Sequence, residues 1–207
     1  MRSQERPDQV TPMPERILSA TAELIVNDGW SGMTMTKVAA RAGVSRQTVY
    51  NEFGTRPALA RAIVMRELTS VLAGVEPAFS AHPGDAAAAV RAAVLTVLQY
   101  AERNPLLGAA LVGGPGNELL APLTVDSGLL LQSAKDVVLA QLSSFGLELA
   151  QEELRDGVDL IVRAIVSHML QPSGSSGHTA DAVSRAATRM FGLPRPDPGI
   201  GECGECF

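Results

Sequence analysis

Residues 34–59 read TMTKVAARAGVSRQTVYNEFGTRPAL, and this stretch predicts two short helices separated by a tight turn. Apolar residues recur at helical spacing from Val38 to Ala42, and Gly43 then interrupts the pattern. Ser45 is a good helix N-cap and would begin the second helix. Two short helices joined by a glycine-containing turn are typical of a helix-turn-helix, whose second helix enters the DNA major groove.

Three polar residues open the second helix, and two more follow one turn later. Arg46, Gln47 and Thr48 lie in the first turn, where a recognition helix meets base edges. Arginine can donate to guanine O6 and N7, glutamine can pair with adenine N6 and N7, and threonine can contact a thymine methyl group or a phosphate. Tyr50 and Asn51 are expected to face the sugar-phosphate backbone. The competing interpretation is a small solvated helix with ordinary polar residues.

The net charge of the 207-residue chain is −5. Its distribution along the chain, and not this total, bears on DNA binding. Residues 1–70 hold nine Lys and Arg against seven Asp and Glu, whereas residues 71–207 hold eight against fifteen. Residues 30–61 alone carry five basic residues and one acidic residue. Because phosphate attraction is local, a basic N-terminal patch on an acidic body is compatible with DNA binding. The asymmetry also indicates two domains with different tasks.

Composition and hydropathy predict a globular, cytoplasmic protein. Hydrophobic residues make up 46% of the chain, which argues against a disordered protein. No apolar run reaches the roughly 18 residues of a membrane span, and the best candidate, residues 86–98, is interrupted by Arg91. The N-terminal MRSQERPDQVTP lacks the apolar core of a secretory signal. The excess of Arg over Lys, 15 to 2, hints at a GC-rich bacterial genome.

The rest of the chain has helical periodicity without strand-type alternation, so the sequence predicts an all-α fold. Besides the two short helices, the predicted helices cover residues 14–27, 55–74, 85–103, 104–112, 118–145, 148–170 and 179–191. Trp30 precedes the two short helices and is expected to be a buried anchor.

Many positions of the opening stretch match one known DNA-binding signature in register: Thr36, Val38-Ala39, Ala42-Gly43-Val44-Ser45, Thr48-Val49-Tyr50, Phe53, Arg56 and Leu59. With these residues the chain resembles the TetR family of transcriptional regulators over its first 60 residues. The resemblance implies an N-terminal three-helix DNA-binding domain, a larger helical ligand-sensing domain and a homodimer formed by the last two helices. Such proteins usually repress transcription, and they release a palindromic operator when a small molecule binds.

The resemblance and the composition together predict four segments. These are a flexible N-terminal arm over 1–13, a helix-turn-helix DNA-binding domain over 14–60, a ligand-binding and dimerisation domain over 61–191, and a disordered tail over 192–207.

The resemblance also implies a set of DNA contacts. Arg46, Gln47 and Thr48 would face the bases, and phosphate would be contacted by Thr34, Ser45, Tyr50 and Arg56. Arg56 stands where the family commonly has lysine, and its fork suits phosphate. Asn51 replaces a frequent aromatic residue or histidine, and Pro57 replaces a frequent acidic residue. These departures leave the operator sequence open.

The helices between residues 85 and 170 are unusually apolar, with four charged residues between positions 106 and 142. A helix that is apolar all round is buried or lines an apolar cavity, and apolar cavities with a few polar groups are the usual small-molecule sites. The predicted ligand is therefore a small lipophilic inducer. The candidate contacts are Tyr100, Leu107, Leu111, Leu130 and Phe145 as walls, with Asp126 and Gln132 as polar groups. For each of them, simple core packing is the competing interpretation.

The last two predicted helices, 148–170 and 179–191, carry wide apolar faces. Two copies of this pair could form a four-helix bundle across a two-fold axis. His168 lies in this region and is expected to be a hydrogen-bonded interface histidine, because no partner constellation for a ligand or catalytic role is visible.

Cys203 and Cys206 form a single CxxC in a glycine-rich tail. One such pair supplies two ligands where a structural zinc site needs four, so no metal or other cofactor is expected. A thiol- or metal-responsive sensor that pools four thiols in a dimer stays open as an alternative, as does a ligand-independent DNA-binding activator. No nucleophile–base pair, phosphate-cradling loop or carboxylate dyad stands out, which predicts that the protein is not an enzyme.

Overall fold

The computed structural model describes residues 11–112 and 127–193, and the regular secondary structure in these ranges is entirely helical. The predicted all-α fold is confirmed. Within these ranges, every helix is too short or too polar to span a lipid bilayer. The helices are α1 (Met13–Gly32), α2 (Met35–Ala42), α3 (Arg46–Phe53), α4 (Arg56–Leu72), α5 (Val75–Ser80), α6 (Ala86–Arg103), α7 (Pro105–Val112), α8 (Ser127–Leu142), α9 (Gln151–Leu170) and α10 (Ser176–Met190).

The described residues form two compact units with separate hydrophobic cores. The first unit contains residues 11–66 and 105–112, and the second unit contains residues 67–104 and 127–193. The boundary falls within α4. Chain order predicts α7 in the second domain, whereas Leu106 of α7 is buried in the core of the first unit. This difference arises because long-range packing leaves no local signal in the sequence.

One apolar face from each of α1 to α4 forms the core of the first unit, together with α7. The apolar residues recur every three or four positions within a helix, which is the spacing of an amphipathic helix with one buried side. The apolar side chains of this core without any solvent exposure are Ile17, Ile25, Met33, Val38, Val49, Leu59, Ala60 and Ile63.

Gly29 interrupts α1 at the position where the sequence predicts the helix to end. Its φ of 73° and ψ of 169° are readily adopted only by glycine. One further turn follows and carries Trp30, which is 6% exposed and belongs to the core of the first unit. The predicted anchor role of Trp30 is therefore observed.

Local capping determines the turn between α2 and α3. Thr34 begins α2, because its Oγ1 accepts the backbone N–H of Lys37 at 3.2 Å. Gly43 ends α2 in the left-handed conformation, with φ of 66°. Ser45 begins α3, because its Oγ accepts the backbone N–H of Thr48 at 3.0 Å. The predicted helix-turn-helix therefore forms from residue types that act on their nearest neighbours.

In the second unit, an alanine-rich face of α6 packs against α10. Small side chains let two helices approach closely, and Oγ of Ser184 in α10 donates to the carbonyl oxygen of Ala87 at 2.8 Å. The carboxylate of Asp85 accepts the backbone N–H of Ala88 at 2.9 Å, so α6 begins where predicted.

Some helix boundaries of the second unit differ from the predictions. Helix α5 lies in a stretch where no separate helix is predicted, and α9 begins three residues later than predicted. Helix α10 begins three residues earlier than predicted, because Oγ of Ser175 accepts the backbone N–H of His178 at 3.3 Å. A 3-10 turn over Ser143–Phe145 follows α8, and Gly146, with φ of 61°, ends it as predicted.

Candidate nucleic-acid interface and ligand site

Helix α3 has one apolar side and one polar side. Val49 has no solvent exposure, and Phe53 packs half-buried against the core of the first unit. Arg46, Gln47 and Tyr50 are exposed on the polar side. The inward positions predicted for Val49 and Phe53 are therefore observed. They determine which side chains α3 presents to solvent, because rotating the helix would expose Val49.

The exposed side chains of α3 pair with each other across one helical turn. Nη2 of Arg46 donates to Oη of Tyr50 at 3.3 Å, and the guanidinium carbon lies 5.2 Å from the centroid of the tyrosine ring. Nε2 of Gln47 donates to Oδ1 of Asn51 at 2.8 Å. Residues four apart are neighbours on a helix surface, so both pairs follow from the spacing in the sequence.

Three hydroxyl groups lie at helix N-termini of the first unit. Oγ of Ser45 and Oγ1 of Thr48 are 2.8 Å apart at the start of α3. Thr34 is exposed at the start of α2. Hydroxyls beside the positive end of a helix suit a phosphate oxygen. These are the positions that the sequence assigns to phosphate contacts, with Thr48 shared between base and phosphate.

Two basic residues of α2 form ion pairs with α1. Nζ of Lys37 lies 2.8 Å from Oδ2 of Asp28, and Nη2 of Arg41 lies 2.7 Å from Oε2 of Glu23. Exposed ion pairs stabilise a protein by about 0–1 kcal/mol, so these side chains can exchange their partner for a phosphate at little cost. The described part of the first unit holds seven Lys and Arg against four Asp and Glu, and is net basic as predicted.

Arg56, at the start of α4, packs against Trp30. Its guanidinium carbon lies 4.4 Å from the centroid of the indole, and its Nη2 donates to the carbonyl oxygen of Trp30. Within the described residues, Nε of Arg56 and Nε1 of Trp30 are buried without a hydrogen-bond partner. The side chain predicted to bind phosphate thus already has an internal partner in the first unit.

The predicted ligand contacts of the second unit have dissimilar surroundings. Leu130 is 8% exposed. Phe145 packs edge to face against Phe79, with ring centroids 6.1 Å apart. Gln132 is exposed, and its Nε2 donates to Oδ1 of Asp136 at 2.7 Å. Leu130 and Phe145 therefore resemble core residues, and Gln132 resembles a surface residue.

Other predicted positions are only partly described. Leu107 is half-buried in α7 and belongs to the first unit. The side chain of Leu111, all of Asp126, and both Cys203 and Cys206 lie outside the described residues. Among the residues that are described, no group of three or more His, Cys, Asp or Glu is placed to hold a metal ion.

A polar cluster around Glu67 lies between α4 and α6 in the second unit. Oε2 of Glu67 accepts hydrogen bonds from Oη of Tyr100 at 2.7 Å and from Nδ2 of Asn104 at 2.5 Å. Burial, and then the hydrogen bond to Glu67, raise the pKa of the Tyr100 hydroxyl. Only Tyr100 is among the predicted site residues. Glu67 follows the fully buried Ile63 by four positions, and this helical spacing is the signal that could have identified it.

The last two helices bury part of their apolar residues in their own unit and expose others. Val158 has no exposure, whereas Leu160 is 59% exposed and Met190 is 40% exposed. Nδ1 of His168 lies 2.8 Å from the carbonyl oxygen of Ala164, so this histidine is hydrogen-bonded within its own helix.

Two family models match the chain. Residues 17–63 match the model described as "Bacterial regulatory proteins, tetR family", and residues 85–189 match "Bacterial Tetracyclin repressor, C-terminal domain". The chain belongs to the TetR family. TetR regulators are non-enzymatic DNA-binding proteins, so the chain is a DNA-binding transcriptional regulator, as the resemblance of residues 34–59 implies.

The relatives are regulators of the same family. The HTH-type transcriptional regulator AlkX of Mycobacterium tuberculosis is 26% identical over 174 residues, which cover 84% of this chain and 82% of that protein. The TetR family repressor AlkX from Dietzia sp. strain DQ12-45-1b, implicated in biodegradation of n-alkanes, is 27% identical. Its crystal structure matches with a TM-score of 0.72 over 87% of this chain and 98% of that chain.

A more distant structure supports the fold alone. RolR, solved in complex with resorcinol, is 14% identical, and its TM-score is 0.58 over 89% of this chain and 95% of that chain. The TetR family as a whole binds DNA as dimers and responds to small-molecule ligands.

Proposed function

We propose that this TetR regulator is a repressor that binds a palindromic operator as a homodimer. Each protomer lays residues 45–51 in one major groove, and the two half-sites are about one helical turn, roughly 34–36 Å, apart. The exposed polar side of α3 carries this proposal, because buried Val49 holds Arg46 and Gln47 toward solvent. The proposed base contacts are Arg46, Gln47 and Thr48, and the proposed phosphate or sugar contacts are Thr34, Ser45, Tyr50, Asn51 and Arg56.

Selection of DNA from a randomised duplex pool, followed by single base-pair substitutions, tests operator reading. Arg46→Ala or Gln47→Ala should weaken binding to the preferred duplex by about 1–3 kcal/mol and relax the preference at one base pair. Arg41→Ala is the matched control, because it removes a basic residue of α2 that pairs with Glu23. It should weaken all duplexes alike. If Arg46→Ala leaves base discrimination unchanged, the base-contact assignment is wrong.

We propose further that a small lipophilic ligand binds the second unit and releases the operator. The apolar character of α6 and α8 supports this proposal, as does the similarity to the Dietzia AlkX repressor implicated in n-alkane biodegradation. Tyr100 is half-buried, and its hydroxyl provides a polar group in this unit. Asp126, Leu130, Gln132 and Phe145 are the other proposed contacts in this unit, whereas the predicted contacts Leu107 and Leu111 lie in α7 of the first unit.

Release requires that the ligand prefer one of two dimer geometries, because a ligand with equal affinity for both shifts nothing. We propose that α4 transmits the change, since this single helix contributes residues to both units. The proposal therefore needs a ligand that binds and also changes operator affinity.

A panel of straight-chain alkyl compounds, steroids and aromatic compounds tests the ligand. Each compound is assayed for thermal shift and for operator release in matched titrations. A true inducer at about a hundredfold excess over its Kd stabilises the fold by roughly 2.7 kcal/mol. Arg46→Ala should keep the thermal shift, because Arg46 lies in the first unit. The absence of both effects across the panel would contradict a lipophilic inducer.

A further inference from the structure

We propose that Tyr50 and Asn51 are positioning residues that orient Arg46 and Gln47 for particular bases. This proposal goes beyond backbone contact for Tyr50 and Asn51, and it rests on the proposed operator binding. Two hydrogen bonds carry it, each between a base-reading side chain and the residue four positions later. All four side chains are exposed, whereas Val49 of the same helix is buried.

The chemistry of the Gln47 amide makes its orientation decisive. Oδ1 of Asn51 accepts one N–H of Gln47, which turns the nitrogen end of the amide toward Asn51. One N–H and the carbonyl oxygen remain, and together they match the N7 acceptor and the N6 donor of adenine. The reversed amide would leave both N–H donors for DNA, a pattern that suits the O6 and N7 acceptors of guanine. In the arrangement that the structure shows, Asn51 therefore leaves Gln47 with the hydrogen-bonding pattern that matches adenine.

Tyr50 acts on Arg46 through its ring and through its hydroxyl. The guanidinium lies over the aromatic ring and donates one Nη2 hydrogen bond to Oη, which leaves the second N–H of Nη2, Nη1 and Nε for a base. A side chain restrained before binding loses less conformational entropy when it meets DNA. Because Oη accepts from Arg46, its own proton stays available for a phosphate oxygen. Positioning of Arg46 and contact with the backbone are thus compatible roles for Tyr50.

The experiment uses the full-length protein and the duplexes that the wild type enriches. At the base pair where Gln47→Ala loses discrimination, Asn51→Ala should lower the preference for adenine over guanine by about two- to twelvefold, which corresponds to one hydrogen bond. Asn51→Asp retains only acceptor oxygens, so it should keep or raise this preference while weakening all duplexes through its charge. Gln47→Ala combined with Asn51→Ala should discriminate no less than Gln47→Ala alone, because Asn51 acts through Gln47.

Three further variants complete the test. Tyr50→Phe keeps the ring and should disturb the base pair read by Arg46 less than Tyr50→Ala does. Glu52→Gln is the matched control, since this exposed residue of α3 changes the charge and should shift all duplexes alike. The proposal is overturned if Asn51→Ala weakens every duplex by one factor, or if the double variant loses further discrimination. A wild type that enriches no duplex would contradict operator reading itself and overturn both proposals.

Discussion

The two units of the protein differ in where the polar groups of their candidate sites lie. In the first unit these groups lie on the exposed side of α3, and the described residues include seven basic and four acidic side chains. The described part of the second unit holds seven basic and eleven acidic residues, and its Glu67 cluster is half-buried between two helices. The polar side chains that one exposed helix presents follow from residue spacing in the sequence. A polar cluster between two helices depends also on which helices pack together. DNA reading is therefore evident from the sequence, and ligand sensing is much less so.

A buried charge at Val49 is the strongest way to test whether the two cores fold separately. This side chain has no solvent exposure, and an uncompensated buried charge costs about 3–5 kcal/mol. Val49→Asp should abolish operator binding and melt the first unit, while the unfolding transition of the second unit stays in place. Calorimetry and circular dichroism measure both transitions.

Thr36→Asp is the control for this experiment, because Thr36 is exposed on α2 and a surface substitution usually changes stability by less than about 0.5 kcal/mol. One cooperative transition that moves as a whole in Val49→Asp would show that the cores are not independent. The two units would then differ in where their polar groups lie, but they would unfold together.

Leu160 and Ile161 are neighbours in α9 with opposite environments, at 59% and 7% exposure. If α9 and α10 form the proposed dimer interface, Leu160→Asp should weaken dimerisation by roughly 2–4 kcal/mol and leave a folded protomer. Ile161→Asp should instead unfold the second unit. Analytical ultracentrifugation with circular dichroism separates the two results. Unchanged dimerisation in Leu160→Asp would exclude this surface from the interface.

The parts of the structure that could be predicted are those with local causes. Ser45, Gly43 and Asp85 act on backbone atoms a few positions away, so residue type and position were sufficient. Val49 and Phe53 follow from helical spacing in the same way. The two short helices and the start of α6 were therefore predicted correctly.

The parts that could not be predicted depend on contacts between distant segments. Glu67 and Asn104 are 37 positions apart, and their hydrogen bond requires that α4 pack beside α6. The place of Leu106 in the core of the first unit likewise depends on the packing of α7 with α1. Apolar composition alone predicts that such helices are buried, but it does not predict what they are buried against.

Replacing Arg56 can separate its packing against Trp30 from its proposed contact with a phosphate. Arg56→Ala removes the contact and the hydrogen bond with Trp30, and should destabilise the first unit by about 2 kcal/mol. If the guanidinium also binds a phosphate, the slope of log K against log salt should become shallower by about 0.9. Arg56→Lys keeps the charge, so it should preserve the slope and still lower the melting temperature. An unchanged slope in Arg56→Ala would leave Arg56 with an internal role only.

Tyr100→Phe gives the smallest expected effect, and it tests the polar cluster of the second unit. The variant removes one hydrogen bond while Glu67 keeps Asn104, so we expect a loss of about 1 kcal/mol near neutral pH. Because the pKa of Tyr100 is raised by folding, its stabilisation is fully present below the unfolded value near 10 and is lost as the pH rises through the folded value. Wild type should therefore lose more stability than Tyr100→Phe in alkaline denaturation experiments.

The chain offers a direct measurement of that pKa, because it contains two tyrosines. In Tyr50→Phe, the ultraviolet absorbance of tyrosinate reports Tyr100 alone, and its midpoint should lie above about 10. Glu67→Gln should move the midpoint part of the way back, since burial, the larger cause, remains when the charge of Glu67 is removed. A midpoint at or below 10 would mean that Tyr100 is solvated in the folded protein. The second unit would then lack the half-buried polar cluster that distinguishes it from the first.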